Sequence, residues 1–202
     1  MAYFPILIEF ENAPVLIAGG GQIALHKAEL LKKQGADITV IAPEICKEIL
    51  DLSVKTELRT VKAEDAEGKI LVIDASGSKE AEKFLSDACQ RLHIPYNCAG
   101  HGDACTAIFP AIFKKGRTLV AVSSLGASPP ASVWLRDRLS EDIPENMDEI
   151  LERMAEIRIT AKENIPLQQD RKKFLHACLD VMIKEQRIID EEETEEILKG
   201  YI

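Results

Sequence analysis

The stretch VLIAGGGQIALHKAELLKKQGADITVIAP, Val15 to Pro43, decides the fold. Val15–Ala18 is a short apolar run of buried-strand type, and Gly19-Gly20-Gly21-Gln22-Ile23-Ala24 fits the pattern G-x-G-x-x-G/A. A helical pattern follows at once, and a second apolar strand, Ile38–Ala42, closes a β-α-β unit. In such a unit Gly19 permits the tight turn, and Gly21 removes the side chain that would block a pyrophosphate. Ala24 lets the helix pack closely on the strand, while the helix N-terminus offers free N–H groups and a partial positive charge to an anion. A glycine-rich turn in some other α/β domain is the bland alternative. The strand before, the helix after and the strand beyond favour a dinucleotide site.

Working outward, Tyr3–Phe10 alternates apolar residues and reads as an edge or companion strand. Cys46–Leu52 reads as a short helix, and Glu57–Val61 and Ile70–Asp74 as further strands, the second nearly all apolar and so expected in the middle of the sheet. Ser78–His93 places Ala81, Phe84, Leu85, Ala88 and Leu92 on one helical face. Ile94–Ala99, Ala107–Phe113 and Thr118–Ser123 are the remaining strand signals. After the turn Leu125–Pro130 they vanish, and Ala131–Leu139, Met147–Lys162 and Arg171–Glu185 are amphipathic helices separated by Pro144 and Pro166. The acidic run Asp190–Glu196 reads as a solvated helical face. The fold class expected is α/β: a Rossmann-type, mostly parallel sheet, then a dimerisation segment, then a helical C-terminal domain. The boundaries expected are 1–113 for the nucleotide domain, 114–145 for the dimerisation and substrate segment, and 146–202 for the helices.

The 202 residues carry 25 Lys and Arg against 34 Asp and Glu, a net charge of −9. That balance argues against nucleic acid or an anionic membrane as the main partner. The apolar runs are too short to span a bilayer, and MAYFPILIEFENAPV has neither a basic start nor a signal-peptide cleavage pattern. A cytoplasmic chain is expected. Cys46, Cys89, Cys98, Cys105 and Cys178 are odd in number, dispersed and without a CxxC, so they read as reduced thiols.

Over about its first 140 residues the chain resembles the precorrin-2 dehydrogenase/sirohydrochlorin ferrochelatase family, the dehydrogenase module of siroheme synthases. The resemblance is carried by GGG-x-[VI]-A-x-x-K-A at Gly19–Ala28 and GA-x-[IV]-T-V-x-AP at Gly35–Pro43. It continues with IFPAI at Ile108–Ile112 and LVAVSSLGASP at Leu119–Pro129, ahead of the helix WLRDRL. The serine-rich run is the most specific of these, because ordinary dehydrogenases lack it. The resemblance implies oxidation of precorrin-2 to sirohydrochlorin, with NAD as hydride acceptor, in a homodimer. Some members also insert Fe²⁺ at the same site. Since the tail shows no methyltransferase pattern, a stand-alone dehydrogenase is expected. The alternatives are a bifunctional dehydrogenase–ferrochelatase and a non-catalytic homologue that binds NAD or a tetrapyrrole.

By the family pattern Gln22 and Ile23 at the helix start, and Pro43 and Glu44 after the second strand, flank NAD together with Gly19 and Gly21. The usual ribose-binding acid belongs at the end of that strand, where Ala42-Pro43 stands instead. Glu44 either reaches the ribose hydroxyls or is an exposed acid near a helix start. No arginine lies beside it to claim a 2′-phosphate, which favours NAD over NADP. The family often has an Asp-Asp pair after the strand that here ends Asn97-Cys98-Ala99. Gly100 occupies the first of those positions and His101 the second, so the catalytic acid is missing from its own place. His101 and Asp103 are the nearest replacements. An imidazole with a pKa of about 6.5 suits proton uptake from the macrocycle, and Asp103 either orients it or acts as the base. The alternative for both is a polar loop at the mouth of the crevice.

Ser123, Ser124 and Ser128 sit where hydroxyls either cap a helix or bind substrate carboxylates. Ser128 before Pro129 is a natural N-cap, whereas Ser124 is read as catalytic. Lys114, Lys115, Arg117, Arg136 and Arg138 cluster around this turn, and Arg136 is the candidate for a substrate carboxylate. Cys98, His101, Asp103 and Cys105 are of metal-ligating types, but Cys98 within a strand is expected to turn inward as a small apolar residue. No resident metal is expected, with transient handling of Fe²⁺ or Co²⁺ through His101 as the second reading.

Overall fold

The computed structural model describes residues 3–99 and 104–202. The chain divides into two compact units, Met1–Phe109 and Pro110–Ile202.

The first unit is a parallel five-stranded sheet. Its strands are β1 (Pro14–Ala18), β2 (Asp37–Ala42), β3 (Lys55–Leu58), β4 (Leu71–Asp74) and β5 (Tyr96–Cys98), in the order β3-β2-β1-β4-β5. Successive side chains of a strand point to opposite faces, and both faces here are apolar. Val15, Ile17, Ile38, Val40, Leu71 and Ile73 lie in one core cluster with Ala24, Ala28 and Leu31 of α1 (Gln22–Lys32) and Ile49 of α2 (Lys47–Asp51). Leu16, Ala18, Ile41 and Val72 lie in the other, with Ala81, Leu85, Ala88 and Cys89 of α3 (Lys79–Leu92). Small residues on α1 bring that helix close to the sheet, as Ala24 was expected to do. Leu92, read as part of the buried face of α3, is largely exposed, and Cys89 fills the core position instead. Burial pushes the Cys89 thiol up to about 11, so it stays neutral and unreactive. All five cysteines are free thiols.

Three strand expectations need correction. The strand read as Glu57–Val61 runs instead over Lys55–Leu58, and Val61 enters the core from the loop after it. Tyr3–Phe10 has no strand partner among the described residues; the sheet ends at β3 and β5, and Pro5 lacks a donor for any ladder. Its alternation is real, but Phe4 and Leu7 are 84% and 83% exposed. Ala107–Phe113 is not one strand either. The N–H groups of Thr106 and Ala107 both donate to the Tyr96 carbonyl, and the Asn97 side chain donates to the Ala107 carbonyl at 2.9 Å. Pro110 then interrupts the run, and the next strand starts only at Ala111.

The second unit contains an antiparallel hairpin, β6 (Ala111–Lys115) and β7 (Thr118–Val122), with α4 (Pro129–Glu141) packed against both strands. Asp148 holds the hairpin turn. Its carboxylate accepts the Arg117 N–H at 2.9 Å and fills the space where a side chain on Gly116 would stand. Helices α5 (Met147–Asn164), α6 (Gln168–Glu185) and α7 (Glu191–Leu198) enclose a separate core of Ile150, Ile157, Phe174, Cys178 and Met182. Asp190 and Glu193 form a capping box at the start of α7, so the acidic run is a capped, solvated helix as read.

Phe174 is fully buried and meets Tyr201 edge-on at 5.9 Å. Phe174→Ala is expected to cost about 3–5 kcal/mol by opening a cavity between α6 and its neighbours. Thermal denaturation followed by circular dichroism checks this.

Candidate dinucleotide site

The C-terminal ends of β1, β2 and β4 converge on the glycine turn. The Gly19 N–H donates to the Ile41 carbonyl at 2.9 Å, the Ala75 N–H to the Ala18 carbonyl at 2.7 Å, and the Cys46 N–H to the Gly20 carbonyl at 2.9 Å. Three chain segments therefore cross at one point, and the glycines differ in what they permit there. Gly19, at φ +115°, lies against the Ala75 carbonyl and the Ser76 N–H, which leave no room for a Cβ. A Cβ on Gly20 would collide with the Glu44 carbonyl and stand 2.7 Å from the Ile45 Cα. Gly21 has nothing within 4 Å of where its Cβ would be. Gly19 and Gly20 are thus packing glycines, while Gly21 faces open space.

Gly21 is also the N-cap of α1, with no side-chain cap, and the first turn of that helix carries no acidic residue. The first amides of a helix have no partner within it. Here those of Gln22 and Ile23 are left to the solvent side, where the positive end of the helix dipole favours an anion. Both residues are exposed, as are Pro43 and Glu44 after β2. An uncapped helix start, an empty position at Gly21 and flanking loops held by backbone bonds suit a pyrophosphate and its adjoining ribose.

Sequence reading missed Asp74. It ends β4 at 3% exposure, accepts from the Ser76 N–H at 2.9 Å and from the Ser76 hydroxyl at 2.6 Å, and takes the Tyr96 hydroxyl at 3.0 Å. Burial, and then the Asp74 carboxylate, push the Tyr96 hydroxyl well above its ordinary pKa, so it remains a proton donor. This cluster ties β4, β5 and the loop beneath Gly19 together. An acid ending an apolar strand was the available signal, hidden because the run LVID reads as buried strand.

Lys27 and Phe109 were quoted in separate motifs, and the fold brings them together: the Lys27 ammonium stands 3.8 Å from the centre of the Phe109 ring. Burial lowers the pKa of this lysine. Cys98 and Cys105 also meet, the Cys98 N–H donating to the Cys105 sulfur at 3.0 Å. His101 and Asp103, like Gly100, lie outside the described residues. Among the described residues no group of three or more His, Cys, Asp or Glu is placed to hold a metal.

In the second unit the serine turn is bound internally. The Ser124 hydroxyl donates to the Ser128 carbonyl and accepts from the Ser128 N–H, both at 2.9 Å, and contacts the Ser132 hydroxyl at 3.0 Å. Ser123 accepts the Leu125 N–H, and Ser128 caps α4 through the Ala131 N–H at 3.3 Å. Most of the cations near this turn are paired: Arg136 with Asp137, Arg138 with Glu141, Lys115 with Glu145 and Arg117 with Glu152.

A doubly covered parallel sheet with an uncapped glycine turn at its carboxyl edge defines a dinucleotide-binding α/β domain. The family model described as "Putative NAD(P)-binding" matches residues 6–111, just over half of the chain, and the chain belongs to that family. Siroheme synthase from Methylococcus capsulatus is 34% identical over 184 residues, covering 89% of this chain and 39% of that protein. Siroheme synthase from Methylobacillus flagellatus is 32% identical over 197 residues, covering 96% and 42%. The chain thus spans about two fifths of the length of these curated relatives. A solved structure titled "SirC, precorrin-2 dehydrogenase" matches with a TM-score of 0.67 at 23% identity, covering 98% of each chain, and it shows that the fold is shared.

Two predictions separate the glycines. Gly20→Ala is expected to destabilise the first unit by about 1–3 kcal/mol through overpacking against Glu44 and Ile45, measured by denaturant unfolding. Gly21→Asp is expected to leave the unfolding midpoint near that of the parent while abolishing NAD⁺ binding in calorimetry, because its carboxylate would occupy the anion position. At the strand ends, Asp74→Ala hands the exposed Ser76 N–H to water and leaves the buried Tyr96 hydroxyl with the Glu82 carbonyl at 3.5 Å, with an expected loss of about 1–3 kcal/mol in the same unfolding measurement.

Proposed function

We propose that this chain oxidises precorrin-2 to sirohydrochlorin with NAD⁺ as the acceptor. The carrying observation is the uncapped glycine turn at Gly21, in a chain whose relatives of about one-third identity are named siroheme synthases. NAD⁺, when bound, supplies hydride acceptance; the macrocycle loses that hydride and a proton.

The chain's own residues have the remaining tasks. The amides of Gln22 and Ile23 hold the diphosphate, Gly21 leaves it room, and Pro43 and Glu44 border the ribose. Gly19 shapes the turn that aims these amides. His101 and Asp103 are assigned the departing proton, because Gly100 at the family's acid position has no side chain to take it. Ser124 keeps the serine turn closed, so that Ser123 and Ser128 stand at the substrate segment, and Arg136 is assigned a substrate carboxylate. The domain roles expected for residues 1–113, 114–145 and 146–202 belong to the same proposal, as does a cytoplasmic setting. Among the described residues no helix is long and apolar enough to cross a membrane.

A homodimer is part of the proposal as well. Phe4, Ile6 and Leu7 on the first unit, and Leu125, Trp134, Leu135 and Leu139 on the second, are exposed apolar side chains; Trp134 is 66% exposed. On the homodimer reading these side chains are the candidates for the subunit contact.

The test is NADH absorbance with precorrin-2 as substrate. NADH formation is expected for the parent, with His101→Ala and Asp103→Ala each slower by about 10²-fold. Parent rates in both variants would remove these residues from proton transfer. NAD⁺ binding without NADH formation would leave the non-catalytic homologue as the reading.

A further inference from the structure

The helical unit separates its charges. One recess is lined by Glu141, Asp142, Glu145 and Glu149 with one cation, Arg187, that is paired to Glu185 and Glu193, whereas another, of about 750 Å³ along α5 and α6, contains no carboxylate in its lining. Arg158 and Lys162 line the second recess from α5, and Arg171 and Lys172 from α6. None of the four forms an ion pair with a described residue. In a chain of net charge −9, where most cations around the serine turn face carboxylates, four unpaired cations around one hollow need an explanation.

The rest of the lining narrows the ligand. Gln168 and Gln169 bring two amide side chains to the start of α6, an eighteen-residue helix whose N-cap, Leu167, offers no side-chain hydrogen bond. The first-turn N–H groups there add further donors. Ala161 and Leu175 are the apolar residues of the lining, and His176 adds an imidazole. Apolar surface beside guanidinium, ammonium and amide donors suits a flat ring edged with carboxylates. Arginine forks pair with such groups bidentately. The volume falls in the range of about 300–1,000 Å³ usual for small-molecule sites. Single-stranded nucleic acid is a poorer match, because His176 is the one ring in the lining and no Phe, Tyr or Trp stands there as a base-stacking platform.

We propose that the α5–α6 recess is a binding site for a polycarboxylated tetrapyrrole, built by the helical unit alone. This rests on the tetrapyrrole reading above and adds a capture surface to it, with residues that reading does not use.

Uroporphyrin, a tetrapyrrole with carboxylates around its rim, is the probe. It is titrated by absorbance and fluorescence into the full chain at saturating NAD⁺. Arg171→Gln with Lys172→Gln is compared with Lys173→Gln with Lys199→Gln, which removes the same charge from cations already facing Asp170 and Glu196. Binding to the parent is expected, weakened at least tenfold in the first double variant and less than twofold in the second, with NAD⁺ affinity and thermal midpoint held in both. Equal losses in the two variants, no loss in either, or no binding to the parent would overturn the proposal. So would displacement of uroporphyrin by an equal concentration of inorganic pyrophosphate, which would mark a phosphate site. If precorrin-2 yields no NADH while the two variants still differ, the recess stands and the dehydrogenase reading fails.

Discussion

The first unit depends on a close approach of backbone to backbone at Gly19 and Gly20. The loop after β2 lies against one glycine and the loop after β4 against the other, so that neither position has room for a methyl group. Backbone hydrogen bonds from Gly19, Cys46 and Ala75 lock the crossing. Because β1 is the central strand, its carboxyl end is where loops from both sides must meet. With the turn held in this way, the next residue, Gly21, opens outward and the first amides of α1 are left for an anion. The binding site is therefore a consequence of the packing: the structure that forbids a side chain at Gly20 is the one that aims the helix dipole.

A second constraint is charge. On the proposed function an acidic chain must collect positive charge locally, since its overall field repels a multiply carboxylated ligand. The cations that cluster in sequence around the serine turn do not serve freely, because Lys115, Arg117, Arg136 and Arg138 each face a carboxylate. Arg158, Lys162, Arg171 and Lys172 on α5 and α6 are no more dispersed in sequence, yet none of them has an ion-pair partner among the described residues. Local density of basic residues was therefore a poor guide to free positive charge; the relevant quantity is which carboxylates the helices bring alongside.

Periodicity served well wherever one element packs on another. The β1–α1–β2 unit, the burial of β4, the helix over Lys79–Leu92 and the three C-terminal helices were all legible, because apolar spacing follows from the face an element must bury. It failed at Tyr3–Phe10 and Ala107–Phe113. The first has the alternation of a strand but no partner among the described residues; the second contains Pro110, and its first N–H shares the Tyr96 carbonyl with that of Thr106. Strand pairing is a relation between segments, and a single segment's pattern cannot supply its partner. Asp74 went unread for a similar reason, since its hydrogen-bond partner Tyr96 lies on another strand.

By itself, the chain's order of residues determined an α/β unit with a glycine turn at its crevice and a helical remainder. Those properties follow from short-range steric rules and from apolar repeats a few residues long. Only the tertiary structure decided which glycine faces the ligand and which two are wedged against neighbouring loops. It alone turned the Ser124 hydroxyl inward to bind its own turn, and left Arg158, Lys162, Arg171 and Lys172 without an ion-pair partner among the described residues. The glycine contacts depend on atoms brought together from distant positions, and in all three cases distance and exposure, rather than residue type, set what a group can do.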